Sequence, residues 1–334
     1  MGPPNLMNKL NMIVRKLFKY TVVILLLLLA IVVYNSVYFD IPREKVISKH
    51  KNEISEFLEL SDGSLIHFRD EGNKSGEVIL LVHGFNGSLF NYEPMVPFLI
   101  DQYRVISLDL PAHGLTGAVK SDLYSHESFE KVIEEVVEIL EVNKFYFVGH
   151  SMGGMIAWRY ALNHLNQLKG LIIIGSPFIA SEEEYIDFQS VNAPPAAFKI
   201  IESKFFSRLL QYVTPRILVK EGVSQTVYDQ SIVTDELVDQ FHDIILMEGT
   251  RLAIGMLIED HENDFIANPV DLSNITVPSL IMHGEEDNLV DIRFVDHFVE
   301  QIPNVRLISY SKVGHMPPME IPAQLAKDIR DFIK

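Results

Sequence analysis

Residues 147–154 read FVGHSMGG and place Ser151 between Gly149 and Gly153, at the seam of two patterns. Before the serine, FYFVG at 145–149 is a short apolar run of the kind that forms a buried strand. After it, MGGMIAWRYAL at 152–162 repeats apolar residues at helical spacing. A strand that turns at once into a helix brings two backbones nearly into contact, so small residues are needed two positions before and two after the turn. Gly149 and Gly153 supply them around His150 and Ser151, and Gly154 eases the approach of the helix. Such a turn pushes the serine Oγ outward, at a helix start whose free N–H groups favour negative charge.

The same apolar signature recurs on both sides of this stretch. VILLVHG (78–84), RVISLDL (104–110), LIIIGS (171–176), SLIMHGEED (279–287) and VRLISY (305–310) are short continuous runs suited to strands buried on both faces of a parallel sheet. SEFLEL and SLIHFR flank Ser61-Asp62-Gly63 and predict a hairpin. Helical periodicity fills the gaps, as at Phe129, Ile133, Val136 and Leu140, and again at Phe294, Phe298 and Ile302. Alternating strands and helices predict an α/β fold, a mostly parallel central sheet with helices on both faces. The alternation breaks between Ser176 and Pro278. There Phe198, Ile201, Phe205, Leu209 and Tyr212 form one apolar helical stripe, which predicts a helical cap at about 177–274 over the C-terminal edge of the sheet.

A serine hydroxyl is a poor nucleophile at neutral pH and needs a base, which in turn needs an acid to hold its tautomer. His315, in SKVGHMPPME after the last strand, can reach back over the sheet edge. Asp287 ends the strand before it, with Glu285 and Glu286 as competing carboxylates in the same loop. An oxyanion hole needs two N–H donors. The Met152 N–H follows the serine directly, and LVHGFNGS at 81–88 turns sharply at Gly84 and offers the Phe85 N–H.

LLVHGFNGS, DLPAHGLT, VGHSMGG, MHGEEDNLV and VGHMPPMEIP together resemble the α/β-hydrolase superfamily, over about residues 53–334. They resemble its capped branch, and with the N-terminal apolar run they also resemble membrane-anchored monoacylglycerol lipases and carboxylesterases. The resemblance implies Ser151 as nucleophile on an elbow of Gly149, His150 and Gly153, with His315 as base and Asp287 as acid. It also implies Phe85 and Met152 as oxyanion donors. The dehalogenase and epoxide-hydrolase relatives carry aspartate at the nucleophile position, so Ser151 argues against both. The expected activity is hydrolysis of carboxylic esters. C–C bond hydrolysis, amidase and cofactor-free haloperoxidase chemistry are the alternatives, and a binding module with a degraded triad is the non-enzymatic one. The chain departs from the family pattern in three places: Ala112 stands where glycine is usual, Thr116 where serine is usual, and the helix after Ser151 lacks the proline often found near Asn163. Asp109 and His113 are read as bracing their loop.

The N-terminus differs in kind. YTVVILLLLLAIVVY at 20–34 carries no charge, and the uncharged stretch continues to Phe39, about the length that spans a bilayer. Lys9, Arg15, Lys16 and Lys19 precede it, which predicts a cytoplasmic N-terminus and a catalytic domain on the other side. The small-x-small cleavage pattern is absent after the run, which favours an uncleaved signal anchor over a secreted protein released by cleavage. The expected organisation is a basic leader at 1–19, an anchor at 20–39 and a charged connector at 40–53. The core follows at 54–176 and 275–334, with the cap between its two parts.

Apolar residues make up 48% of the 334, enough for a large core, and the net charge of −17 repels nucleic-acid phosphate. No cysteine is present, which removes disulfides, thiolate metal sites and a cysteine nucleophile together. Among the twelve histidines, His83, His113, His150 and His315 sit in separate motifs without metal-ligand spacing, so neither metal nor cofactor is assigned. The anchor, together with cap aromatics such as Phe188, Phe198, Phe205 and Phe206, points to a small-molecule ester with an apolar acyl group.

Overall fold

All six apolar runs become strands in the computed structural model, which describes residues 6–191, 214–261 and 270–334. They are β3 (Val78–Val82), β4 (Arg104–Leu108), β5 (Phe145–His150), β6 (Leu168–Ile174), β7 (Ser279–Gly284) and β8 (Val305–Tyr310). The hairpin supplies β1 (Glu56–Glu59) and β2 (Leu65–Gly72), joined by a turn in which Gly63 takes a φ of +78°. The order is β1-β2-β4-β3-β5-β6-β7-β8, in which the β1–β2 and β2–β4 pairings at one edge are antiparallel and the remaining five are parallel.

Alternation along β3 shows why both faces had to be apolar. Ile79 and Leu81 pack into one core with Tyr92, Met95, Leu325 and Ile329. Leu80 and Val82 pack into the other with Phe129, Ile133, Ile156 and Trp158. The second face is covered by α3 (His126–Ile139) and α4 (Met152–His164). The side chain of Ser125 caps the start of α3 by accepting from the Ser128 N–H.

Between β6 and β7 the described residues are helical. They form α5 (Glu182–Val191), α6 (Arg216–Thr226), α7 (Asp235–Ile245) and α8 (Thr250–His261). Val219 and Val223 of α6 pack on Val238 of α7, and Arg216 pairs with Asp235 at 3.1 Å and Asp239 at 2.5 Å. After β7 come α9 (Arg293–Gln301), the short α10 (Pro317–Glu320) and α11 (Pro322–Ile333). Phe294 and Phe298 of α9 join the α3–α4 face, while α11 covers the opposite one.

The apolar N-terminal run lies in α1 (Leu6–Ser36), one unbroken helix of 31 residues. Its side chains at 22–28 are exposed leucine, isoleucine and valine. Among the described residues, no helix is long and apolar enough to cross a membrane. Side chains 29 and 31–36, which complete the uncharged run in the sequence, lie outside the described ones.

The charged connector is not a free tether. It forms α2 (Arg43–His50) and docks on the helical insert. Ile41 donates its N–H to Leu246 at 2.7 Å and accepts from Glu248 at 2.9 Å, while Asp40 pairs with Arg251 at 2.5 Å. Lys49 and His50 both reach Asp243, at 2.5 and 2.8 Å, and Val46 is buried with Ile244 and Met247.

Candidate active site

Ser151 stands between β5 and α4, as the N-cap of the helix, in a strained backbone with φ 52° and ψ −119°. An L-residue held there costs on the order of 1–3 kcal/mol, which the surrounding packing must sustain. The Ser151 N–H is fixed by the Ile174 carbonyl of β6 at 2.9 Å. The glycines are explained by contact. A Cβ at Gly149 would overlap the Gly153 carbonyl, and one at Gly153 would overlap the Val82 carbonyl at the end of β3. A Cβ at Gly84 would lie 2.8 Å from the Ser151 Cβ. The serine is therefore wedged between three backbones, with its side chain making no hydrogen bond among the described residues.

His315 and Asp287 meet at the same edge. His315 Nδ1 donates to Asp287 Oδ2 at 2.7 Å, with the Asp287 side chain fully buried. Asp287 Oδ1 accepts from the N–H groups of Leu289 and Val290, at 2.8 and 2.9 Å. Burial alone would raise the Asp287 carboxyl. The His315 ring, the hydrogen bond to it, His283 and the Val290 N–H outweigh that and hold it below the usual value. With Nδ1 committed to Asp287, His315 Nε2 is the ring nitrogen left to act. The competing carboxylates are engaged elsewhere or exposed: Glu286 accepts from the Val313 N–H at 2.9 Å, and Glu285 points to solvent.

His150 links the serine to this pair. Its Nε2 donates to the His315 carbonyl at 2.6 Å, and the two rings lie 4.9 Å apart between centroids. Burial, then the neighbouring His315, lowers its pKa to about 3, so it stays neutral and serves as a fixed donor. Ser151 has no direct hydrogen bond to His315. Such contacts are often loose before substrate binds and tighten in the complex.

The loop carrying Phe85 is braced from below. His83 Nε2 accepts from the Leu110 N–H at 3.0 Å, so its Nδ1 carries the proton and donates to the Gly84 carbonyl at 2.8 Å. Asp109, completely buried, accepts from Leu89 N–H at 2.7 Å, Leu115 N–H at 2.7 Å and His67 Nδ1 at 2.6 Å. His113 packs against His83 and edge-on to Phe85. Among the described residues, neither the Phe85 nor the Met152 N–H has a hydrogen-bond partner, which leaves both for a ligand. Two of the three departures from pattern also find a physical account. Ala112 sits at φ 69°, the left-handed region that makes glycine usual there. Thr116 uses its hydroxyl to donate to the Asp109 carbonyl and accept from the His67 N–H, both at 2.8 Å, as a serine could.

Of the four aromatics expected to line a substrate pocket, Phe188 packs edge-on against Phe294 with centroids 5.0 Å apart, tying α5 to the core. Phe198, Phe205 and Phe206 lie outside the described residues, as does the rest of that apolar stripe.

The buried histidines predict an acid-labile fold. Burial lowers His113 and His150 to about 3 and shifts His83 the same way, against 6.5 in the unfolded chain. Below about pH 6.5 the unfolded state therefore binds protons that the folded state refuses. Stability is fully present above that pH and declines as pH falls, by about 1.4 kcal/mol per pH unit for His113 and for His150, with His83 acting in the same direction. Glu71 and Glu130, raised by burial, oppose this only as the pH approaches the carboxylate range. The urea midpoint should drop between pH 7 and pH 5, and a flat profile there would contradict the assignment.

The family described as the alpha/beta hydrolase fold matches residues 77–195, which hold the β3 loop, the serine turn and β6. The chain is thus similar to proteins of the α/β-hydrolase superfamily, with the family pattern carried by that stretch. The hydrolase YugF of Bacillus subtilis (strain 168) is 28% identical over 278 residues, covering 82% of this chain and 96% of YugF. The human monoacylglycerol lipase ABHD6 is 26% identical over 267 residues, covering 76% of this chain and 74% of ABHD6. Among solved structures, a mutant of the meta-cleavage product hydrolase CumD from Pseudomonas fluorescens IP01 superposes with a TM-score of 0.69 at 22% identity. That superposition covers 84% of this chain and 98% of CumD. Residue patterns missed the part played by His150, which bonds to the carbonyl of His315. No signal short of the fold announces it, because 165 residues separate the two in sequence.

Proposed function

We propose that this protein is an α/β-hydrolase, a membrane-anchored serine esterase acting on carboxylic esters with apolar acyl groups. The observation that carries the chemistry is the buried Asp287–His315 hydrogen bond on the edge where Ser151 is held out. In this reading His315 Nε2 takes the Ser151 proton as Oγ attacks the ester carbonyl carbon. The oxygen becomes an oxyanion held by the Phe85 and Met152 N–H groups. Collapse breaks the ester C–O bond, and the proton on His315 passes to the leaving alcohol. Water, deprotonated by His315, then attacks the acyl-enzyme and releases the acid and free Ser151.

The acyl preference is supported by the likeness to ABHD6, whose name is that of a monoacylglycerol lipase. The anchor is supported by the exposed aliphatic side chains of α1 and by the basic residues before them. In that arrangement the N-terminus is cytoplasmic and the catalytic domain lies on the opposite side of the membrane.

The test is initial rates of the full chain, in detergent micelles, on p-nitrophenyl esters of increasing acyl length. Rates should rise with length before they level off. A flat or falling profile would reject the apolar-acyl preference. Absence of turnover on every ester, with Ser151 still labelled by a fluorophosphonate, would move the reading to C–C or amide bonds.

A further inference from the structure

The loop that carries His315 is not held by its own strand alone. Its two flanking N–H groups, from Gly314 and Met316, both donate to Glu320 Oε1, at 2.9 and 3.4 Å. The other oxygen of the same carboxylate, Oε2, accepts from Tyr228 and Asp229, at 2.8 and 3.1 Å. Those two residues lie two and three positions past Thr226, the last residue of α6 in the insert. The His315 N–H completes the joint by donating to the Thr226 carbonyl at the end of α6, at 2.7 Å. The backbones are in contact as well, since a Cβ at Gly314 would stand 2.7 Å from the Tyr228 nitrogen.

We propose that Glu320 is a positioning residue for His315, one carboxylate that locks the imidazole-bearing loop to the end of α6 in the insert. A carboxylate receiving four N–H donors forms charge-assisted bonds, stronger than neutral ones. It faces two directions, so it holds the loop and the insert in one geometry. The imidazole then has two independent constraints: Asp287 sets its tautomer and ring orientation, and Glu320 sets where its backbone stands. Displacement of α6 is transmitted to His315, because Thr226, Tyr228 and Asp229 contact the loop directly or through Glu320. Glutamine cannot replace the carboxylate. Its amide has one accepting oxygen, and its NH2 faces N–H donors on whichever side it is turned to.

This role rests on His315 acting as the base proposed above, so the test includes a readout that needs no substrate. Full-length protein in micelles, labelled with 15N-histidine, is compared as wild type, Glu320→Gln and Glu320→Ala, with His315→Ala to assign the signal. The downfield proton of His315 Nδ1–H, bonded to Asp287, should be sharp in wild type. It should broaden or shift in Glu320→Gln and more so in Glu320→Ala. On the best ester, kcat should fall by about 10-fold in Glu320→Gln and up to about 100-fold in Glu320→Ala, with KM little changed, as for a misplaced catalytic group. If Glu320→Ala does not fold, Glu320→Gln decides alone. A folded Glu320→Gln with wild-type signal and kcat overturns the proposal, as does a rise in KM at constant kcat. A perturbed signal in a chain that hydrolyses no ester supports the positioning role while rejecting the esterase reading.

Discussion

Replacing Ser151 by alanine is expected to lower kcat by about 10⁴–10⁶-fold. The fold should survive, because alanine keeps the Cβ that already fits beside Gly84, and the backbone strain at φ 52° is unchanged. Only the Oγ is lost, and it makes no hydrogen bond among the described residues. Fluorophosphonate labelling should vanish with the turnover. The companion variant Ser151→Gly separates strain from chemistry. It removes the same hydroxyl but also the Cβ that makes φ 52° unfavourable, so it should be as inactive and yet melt higher than Ser151→Ala. Thermal unfolding of both, beside residual esterase rates, checks the pair. A Ser151→Ala protein that retains a tenth of its activity would remove this serine from the mechanism. A Ser151→Gly protein that melts lower would mean the packing of the Cβ outweighs the strain.

Asp287→Asn should lower kcat by about 10⁴-fold, with little change in KM. The substitution is nearly isosteric, and its oxygen can still accept from Leu289 and Val290, so the loop has no reason to unfold. Its amide, however, presents N–H to His315 Nδ1. The ring must then accept there and carry its proton on Nε2, where it cannot take one from Ser151. Glu285→Gln is the control. Glu285 is exposed, its backbone N–H bonds to the Tyr310 carbonyl, and its side chain makes no hydrogen bond among the described residues. It should match wild type in rate and melting temperature. If Asp287→Asn keeps more than a tenth of wild-type kcat, another carboxylate is serving, and Glu286 is the first to test.

The strands were legible because the sheet is buried on both sides. Runs such as VILLV and LIIIG have no polar face, and few folds other than a parallel sheet would bury them. The serine turn was legible for a related reason: only glycine satisfies the backbone contacts at positions 149 and 153. Choosing among Glu285, Glu286 and Asp287 was beyond residue types alone. All three are carboxylates within three positions, and what separates them is a hydrogen bond from Val313 to Glu286 and one from His315 to Asp287. The connector failed to declare itself for the opposite reason. Residues 40–53 look like a charged tether because their partners, Asp243, Leu246 and Arg251, lie some two hundred positions away. Glu320 stood inside a recognisable motif, but its link to Tyr228 exists only once the insert is folded back.

The docking of that connector also sets an order of events during synthesis. Asp40 emerges early, and its partner Arg251 follows 211 residues later. At about 5–20 residues per second, the two are separated by roughly 10–40 s of translation. Through that interval Ile41 and Asp40 have no insert to bond to, although Val46 already has Leu89, Phe90 and Leu115 to pack on. Contacts of such long sequence separation come at a high loop-closure cost and form late. The joint between the N-terminal segment and the insert is therefore closed near the end of folding, and a chain interrupted before Arg251 never makes it.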